Sequence, residues 1–363
     1  MAEFIPVYEP VLGGNEKKYV MECLESGWIS SLGKYVTEFE EKFSAYCGSK
    51  HGVSVANGTV ALQLALIALG IKKGDEVIVP DLTFVATANA VSYTGAKPVF
   101  VDSERESWNI DPSKIEEKIT KKTKAIIPVH LFGHPCDMDP IMDVAKDRRL
   151  FVIEDAAEAH GAEYKGKKAG SFSTISCFSF YGNKTITTGE GGMCITNDEK
   201  LADEMRFLKD HGMSSEKRYW HSKIGFNLRM TNIQAAIGLA QLEQIEKFIE
   251  AKRKNAQLYN SLLKDVEGIS LPPEMPWAKS IYWMYSVLVT DSYGMSRDKL
   301  AEKLKEKKID SRPFFYPMHQ LPIYKSEKPF PVADVLSAQG LNLPSAPSLK
   351  KEDVERICEV IAK

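Results

Sequence analysis

The sequence predicts an α/β protein, with a largely parallel sheet covered by helices on both faces and a smaller α+β domain after it. Three observations lead there. Short β-branched runs alternate with helix-like stretches through the first two-thirds of the chain. Turns rich in Gly, Asn and Pro separate them. The alternation then ends at a long helical stretch, and a Pro-rich segment opens a different pattern. Alternating strands and helices build parallel sheets because each crossover helix covers a sheet face.

The first strand is GVSVA (52–56). Asn57-Gly58 turns the chain, and residues 59–69 are apolar nearly all round, which predicts a buried helix. EVIVP (76–80) is the next strand, with a helix after it to about Tyr93. Gly95 turns the chain into PVFVD (98–102). KAIIPVH (124–130) is a strand, and a helix follows over 138–147. LFVIED (150–155) is strand again, and ISCFSF (175–180) and GMCIT (192–196) flank a Gly-rich turn. From Gln234 to about Leu263 apolar positions recur at three and four, which predicts one long helix. EGISLPPEMPWAKS then reads as loop. A domain boundary is placed near residue 250, with a large domain over 1–250, N-terminal segment included, and a small one over 251–363. In the small domain, WMYSVLVT reads as a strand and 296–307 as a helix.

The 363 residues carry a net charge of −2. A chain this long buries about 75% of its unfolded surface, so the core needs no staples. The charge offers no broad basic footprint for nucleic acid. Six cysteines, none in a C-x-x-C pair, suggest neither zinc nor a redox dithiol, and read as reduced thiols. MAEFIPVYEP lacks the pattern of a signal peptide. The longest apolar run, 61–69, contains Gln63 and is too short for a membrane span. A soluble cytoplasmic protein without a metal, a nucleic-acid partner or a membrane partner is expected.

Ligands of open parallel sheets collect at the carboxyl ends of strands, and four features fall there. Asn57-Gly58-Thr59 joins a strand to a buried helix, where free N–H groups and the helix dipole favour an anion. Taken alone it reads as an ordinary N-cap turn. Asp155 ends a buried strand. A lone buried carboxylate is costly, so it needs a strong partner. A protonated pyridine nitrogen is one, through a bond worth about 1.5–3 kcal/mol; a salt bridge or a helix cap is the alternative. Ser179 and Lys184 lie in SFYGNKTITTGEGG, between a strand and a Gly-rich turn. A lysine beside an aldehyde can form a Schiff base, and as a free amine it can move protons. Ser179 can donate to a phosphate, and Gly189, Gly191 and Gly192 let the chain turn tightly beside a ligand. Phe84 offers a ring to stack on a planar cofactor, or simply a core side chain.

Together SGWISSLGKYVTEFE, VANGTVALQLAL, GDEVIVPDLTFVATANAV, VHLFGHPCDMD, IEDAAEAHGAEYKGKKAGSF, FSFYGNKTITTGEGGM and GFNLRMTNIQAAIGLAQL resemble a known family. It is the DegT/DnrJ/EryC1/StrS family of sugar aminotransferases, which depend on pyridoxal 5'-phosphate. The resemblance runs from Tyr8 into RPFFYPMHQLPIY. It implies the aspartate aminotransferase fold, fold type I of these enzymes, with a mixed, mostly parallel seven-stranded sheet. It implies that Lys184 bonds the cofactor and acts as general base, and that Asp155 pairs with the pyridine nitrogen. Gly58, Thr59 and Ser179 would hold the phosphate, and Phe84 would stack on the ring. Asn227, in GFNLRMT, matches a residue that reaches the phosphate from the neighbouring subunit. That implies a homodimer with shared sites, or a tetramer of two dimers; without the resemblance, GFNLRMT is a plain loop before a helix. Glu158 departs from the pattern, since many members carry Gln there, near the cofactor's ring oxygen.

Arg312 and His319 lie in a loop whose family counterpart approaches the nucleotide sugar. Trp28 and Ser30 are candidates for its pocket, or pack locally. His160 reads as a packing residue or a substrate contact. Within the family, YEPVLGGNEKKYV, ESGWISS, HLFGHPCDMD and GNKTITTGEGGM look most like the branch that aminates C4 of GDP-4-keto-6-deoxy-D-mannose with L-glutamate as donor. A related group that dehydrates this sugar nucleotide has His in place of the lysine, so Lys184 favours transamination. A dTDP- or UDP-linked acceptor, aminated at C3 or C4, stays open. So does a cofactor-binding regulatory role, although no helix-turn-helix with a basic face is visible.

Overall fold

The structure, a computed structural model, describes residues 3–363. Its large sheet has seven strands in the order His51–Val55, Gly192–Thr196, Ile175–Ser179, Phe151–Asp155, Thr123–Ile126, Glu76–Pro80 and Lys97–Val101. All neighbours are parallel except Gly192–Thr196, which runs antiparallel to both strands beside it. The link from Ser179 to Gly192 holds no helix, and without a crossover the chain can only return antiparallel.

Side chains alternate between two cores. Val77 and Val79 join Leu62, Leu64 and Ala65 on one face, while Ile78 joins Ile126, Ile141 and Val152 on the other. Each such side chain, fully buried, contributes about 1.5–3 kcal/mol. The helix Gly58–Ala68 covers the first face. Its N-cap, Asn57, accepts a hydrogen bond from Val60 N–H at 3.0 Å, a cap worth about 1 kcal/mol. All six cysteines are buried and unpaired in disulfides.

The single helix expected over 234–263 is two, Asn232–Leu242 and Ile245–Leu263. At the break, Glu243 accepts from Tyr19 and Asn15, both at 2.7 Å. The break is set by these distant partners, so the local periodicity runs straight through it. The second helix continues without interruption past residue 250. Its Phe248 and Ile249 pack in the core of the large domain, and its Ala256, Tyr259 and Leu263 pack in the core of the small one. A single helix thus belongs to both bodies.

The N-terminal arm also departs from the expected division. Ile5 lies in the small-domain core, donates to Lys308 O and accepts from Asp310 N–H, both at 2.9 Å. These partners are some 300 residues away in sequence, beyond any local pattern. The small domain is built on an antiparallel sheet in the order Ile269–Ser270, Tyr285–Val289, Gly340–Leu343 and Arg312–Pro313. The helices Arg297–Glu306 and Lys351–Ala362 cover it. Among the described residues no helix is long and apolar enough to cross a membrane.

Candidate active site

A cavity of about 630 Å³ opens at the carboxyl ends of the parallel strands of the large sheet. Gly58 and Thr59 form one wall, Thr83 and Phe84 another, and Asp155, Glu158, Ser179 and Lys184 the floor. Trp283 and Phe315 close it from the small-domain side.

Lys184 is gripped along its main chain. Tyr8 donates its hydroxyl to the Lys184 carbonyl at 2.6 Å, and Trp283 Nε1–H donates to the Asn183 carbonyl at 2.7 Å. The Lys184 ammonium stands 3.7 Å from the centre of the Trp283 ring and 3.7 Å from Glu158 Oε1. Burial lowers its pKa from the usual lysine value, and the charges of Glu158 and Asp155 partly oppose this. A lysine so placed reaches its neutral, nucleophilic form more readily than a solvated one.

Asp155 ends its strand 5% exposed. Burial pushes its carboxyl above the usual carboxylate range. Thr87 Oγ1, donating at 2.7 Å, and Ala157 N–H, donating at 3.2 Å, pull it back toward the charged form. Glu158 is pushed up by burial to about 7, with the Lys184 charge and the Phe132 N–H, at 2.8 Å, opposing.

The anion cradle rests on a close approach. A Cβ on Gly58 would stand 2.6 Å from Ser179 Cβ, and one on Gly192 would stand 2.5 Å from the Asn57 carbonyl carbon. Glycine at both positions lets the start of the Gly58–Ala68 helix sit against the end of the Ser179 strand. The first N–H groups of a helix have no partner within it; Val60 N–H is taken by Asn57, and Gly58 and Thr59 line the cavity together with Ser179. Phe84 is 53% exposed, its ring 5.6 Å from that of Phe315.

Seven of the residues singled out from sequence therefore meet in one place: Gly58, Thr59, Phe84, Asp155, Glu158, Ser179 and Lys184. Five do not. Asn227 is exposed outside the cavity of its own chain, its Oδ1 accepting from Arg229 Nε at 3.0 Å. Trp28 and Ser30 are exposed, and their carbonyls accept from Asn232 Nδ2 at 2.7 Å and Asn232 N–H at 2.5 Å. Arg312 is exposed and paired with Asp310. His319 is buried between Asp81, 2.6 Å from its Nδ1, and Asp334, 3.3 Å from its Nε2. Nδ1 thus ties the 318–320 turn to the large domain at Asp81, and Nε2 ties it to Asp334 within the small domain. His160 packs among Phe43, Phe178 and Phe180, and burial holds its pKa at about 3. It is a neutral packing residue.

Tyr8, Thr87, Trp283 and Phe315 escaped the sequence reading. Thr87 follows Thr83 by four residues, a spacing that puts both on one face of a helical turn; their hydroxyls stand 3.4 Å apart. Tyr8, Trp283 and Phe315 carry no local signal, because they reach the site from distant parts of the chain.

The residues present fit pyridoxal phosphate: an amine to bond it, a buried carboxylate to face its ring nitrogen, and a Gly-lined helix start for its phosphate. On an open α/β sheet this set defines the class, a fold type I pyridoxal-phosphate enzyme. The chain belongs to the DegT/DnrJ/EryC1/StrS aminotransferase family, whose model matches residues 10–362. It is 52% identical over 360 residues to the GDP-perosamine synthase of Escherichia coli O157:H7, covering 99% of this chain and 98% of that one. It is 48% identical over 356 residues to the GDP-perosamine synthase of Caulobacter vibrioides, covering 97% and 96%. Among solved structures, DesV of S. venezuelae, in complex with a ketimine intermediate, matches with a TM-score of 0.91 at 37% identity, over 96% of this chain and 93% of that one. The chain is an aminotransferase, and the cofactor of its family is pyridoxal phosphate.

Proposed function

We propose that the chain transfers the amino group of L-glutamate to C4 of GDP-4-keto-6-deoxy-D-mannose, forming GDP-perosamine, as a cytoplasmic homodimer with shared sites. The observation that carries the transfer is the enclosed Lys184 amine beside Asp155 and Glu158. The likeness to the GDP-perosamine synthases supports the acceptor.

Pyridoxal phosphate, when bound, supplies the electron sink of the reaction. The chain's own residues do the rest. The helix start at Gly58 and Thr59, with Ser179, would hold the phosphate. Asp155, kept in orientation by Thr87 and Ala157, would face the ring nitrogen and keep it protonated. Lys184 would take the covalent position. As a free amine, its basicity lowered by burial, it accepts and returns a proton at the reacting carbon. Glu158 faces the Lys184 amine with a carboxyl poised near 7, so it can balance the change of charge there. Trp283 lies over Lys184 and keeps water from the amine.

The segment that bears Asn227 supports the dimer. It exposes Tyr219, Trp220 and Ile224, the last 90% accessible, an apolar surface suited to a second copy.

The test is visible absorbance of the cofactor-loaded protein, before and after L-glutamate, and then with a panel of nucleotide keto sugars. Glutamate should bleach the band, and the GDP-linked 4-keto sugar should restore it. Lys184→Ala should lose both the lysine-bound band, checked by mass after borohydride reduction, and turnover. Restoration by a dTDP- or UDP-linked sugar alone would overturn the acceptor. A glutamate-insensitive band would overturn the transfer itself.

A further inference from the structure

Lys252 is a buried lysine that meets no carboxylate among the described residues. It lies on the helix Ile245–Leu263 with 2% of its surface exposed. Its ammonium donates to the main-chain carbonyls of Trp283, at 3.1 Å, and Ser345, at 2.5 Å, and stands 5.3 Å from the centre of the Tyr8 ring. Among the described residues no charged partner offsets its burial, which lowers its pKa to about 7. An uncompensated buried charge is costly, and an apolar side chain of similar volume often serves packing as well or better. Packing alone therefore does not account for a lysine here.

The groups it gathers lead to one place. Trp283 is the residue whose indole lies over the Lys184 amine and holds the Asn183 carbonyl. Tyr8 is the residue whose hydroxyl holds the Lys184 carbonyl. Ser345 ties the two together. Its N–H donates to Val7 O at 2.9 Å, next to Tyr8, and its hydroxyl accepts from Tyr285 N–H at 2.6 Å, two residues beyond Trp283. The N-terminal arm, the Trp283 segment and the Ser345 turn thus share one ammonium as their common donor or neighbour. The two side chains that grip the main chain at Asn183 and Lys184, Trp283 and Tyr8, belong to those segments.

We propose that Lys252 is a positioning residue for the transfer: its ammonium holds the Trp283 and Tyr8 segments in register and, through them, sets where the Lys184 amine points. The inference rests on Lys184 being the cofactor lysine. It also gives the helix Ile245–Leu263, which packs in both domains, a direct link to the site.

The test compares Lys252→Met, which keeps much of the volume and removes the donors, with Lys252→Arg, which keeps charge and donors. Melting temperature and oligomeric state serve as controls. Lys252→Met should fold, lower kcat by about 10- to 100-fold, the loss expected for a reacting group displaced by up to about 1 Å, and leave KM for glutamate nearly unchanged. The midpoint of the pH titration of its visible band should move, by about half a unit or more. Lys252→Arg should recover a substantial part of kcat.

A folded Lys252→Met with wild-type kcat and titration midpoint overturns the proposal. Should Lys252→Met not fold, Tyr8→Phe removes one grip without touching Lys252. A loss of kcat with a shifted midpoint in Tyr8→Phe supports the brace, and wild-type values there overturn it. A wild type that glutamate leaves unchanged removes the reading of Lys184 and this inference with it. A responsive wild type beside a matching Lys252→Met removes this inference alone.

Discussion

Gly58→Ala probes the cradle at its tightest point. The added methyl would stand 2.6 Å from Ser179 Cβ and 3.2 Å from Ser179 Cα, where ordinary contact begins near 3.4 Å. The helix start and the strand end must part by about 0.8 Å, and of the three Ser179 atoms met (Cβ, Oγ and Cα) the Cα is main chain, which cannot rotate away. Overpacking of this kind costs about 1–3 kcal/mol. The N–H groups at the helix start move with it, so the cost falls on the phosphate they would hold. If the whole cost appears in binding, pyridoxal phosphate binds roughly 5- to 150-fold more weakly. The assay is a titration of cofactor-free protein with pyridoxal phosphate, followed by visible absorbance, with melting curves to show that the variant is folded. Ser179→Gly removes the Cβ in the way, so Gly58→Ala should cost less in that background than in the wild type. A folded Gly58→Ala with wild-type cofactor affinity would refute the cradle. An equal penalty in both backgrounds would refute the clash as its cause.

Thr87→Val removes the hydroxyl that favours the ionised form of Asp155. The Asp155 pKa then rises further, and the acid limb of the kcat/KM profile moves to higher pH; an unmoved limb would deny Thr87 that role. His160 is held at about 3, below the value of about 6.5 for an unfolded chain, so the folded state binds fewer protons. Its contribution to stability is full above about 6.5 and is lost as pH falls toward 3, by at most about 1.4 kcal/mol per pH unit. His160→Phe should therefore flatten the decline in melting temperature between neutral and mildly acid pH, and parallel curves for variant and wild type would count against it. Co-expressed Lys184→Ala and Asn227→Ala chains should recover activity that neither has alone, since a mixed dimer contains one site with both residues intact. No recovery in purified mixed dimers would argue against shared sites.

The sheet was legible because its strands are buried on both faces. EVIVP, LFVIED and ISCFSF read as unbroken apolar or β-branched runs, and each lies within two residues of the strand observed. The floor of the site was legible for a related reason. Asp155 and Ser179 end those same strands, and Lys184 follows one closely, so placing the strands places the residues. The glycine at 58 was legible as a turn into a buried helix, while the close approach of Ser179 that excludes a Cβ there was decided by the fold.

The sequence by itself thus determined the succession of strands and helices and the polar residues at the strand ends, since both follow from short-range periodicity and chain reversal. The tertiary structure alone decided the rest. It broke the 234–263 helix at Glu243, carried the next helix through residue 250 into both domains, and sent the N-terminal arm into the small-domain core. It paired His319 with Asp81 rather than the cavity, and it brought Tyr8 and Trp283 onto Lys184, and Lys252 onto Tyr8 and Trp283, from separate stretches. These outcomes depend on contacts between residues tens to hundreds of positions apart. Such contacts form only when the packed chain brings the partners within hydrogen-bond range, and they leave no period in the sequence for a local pattern to reveal.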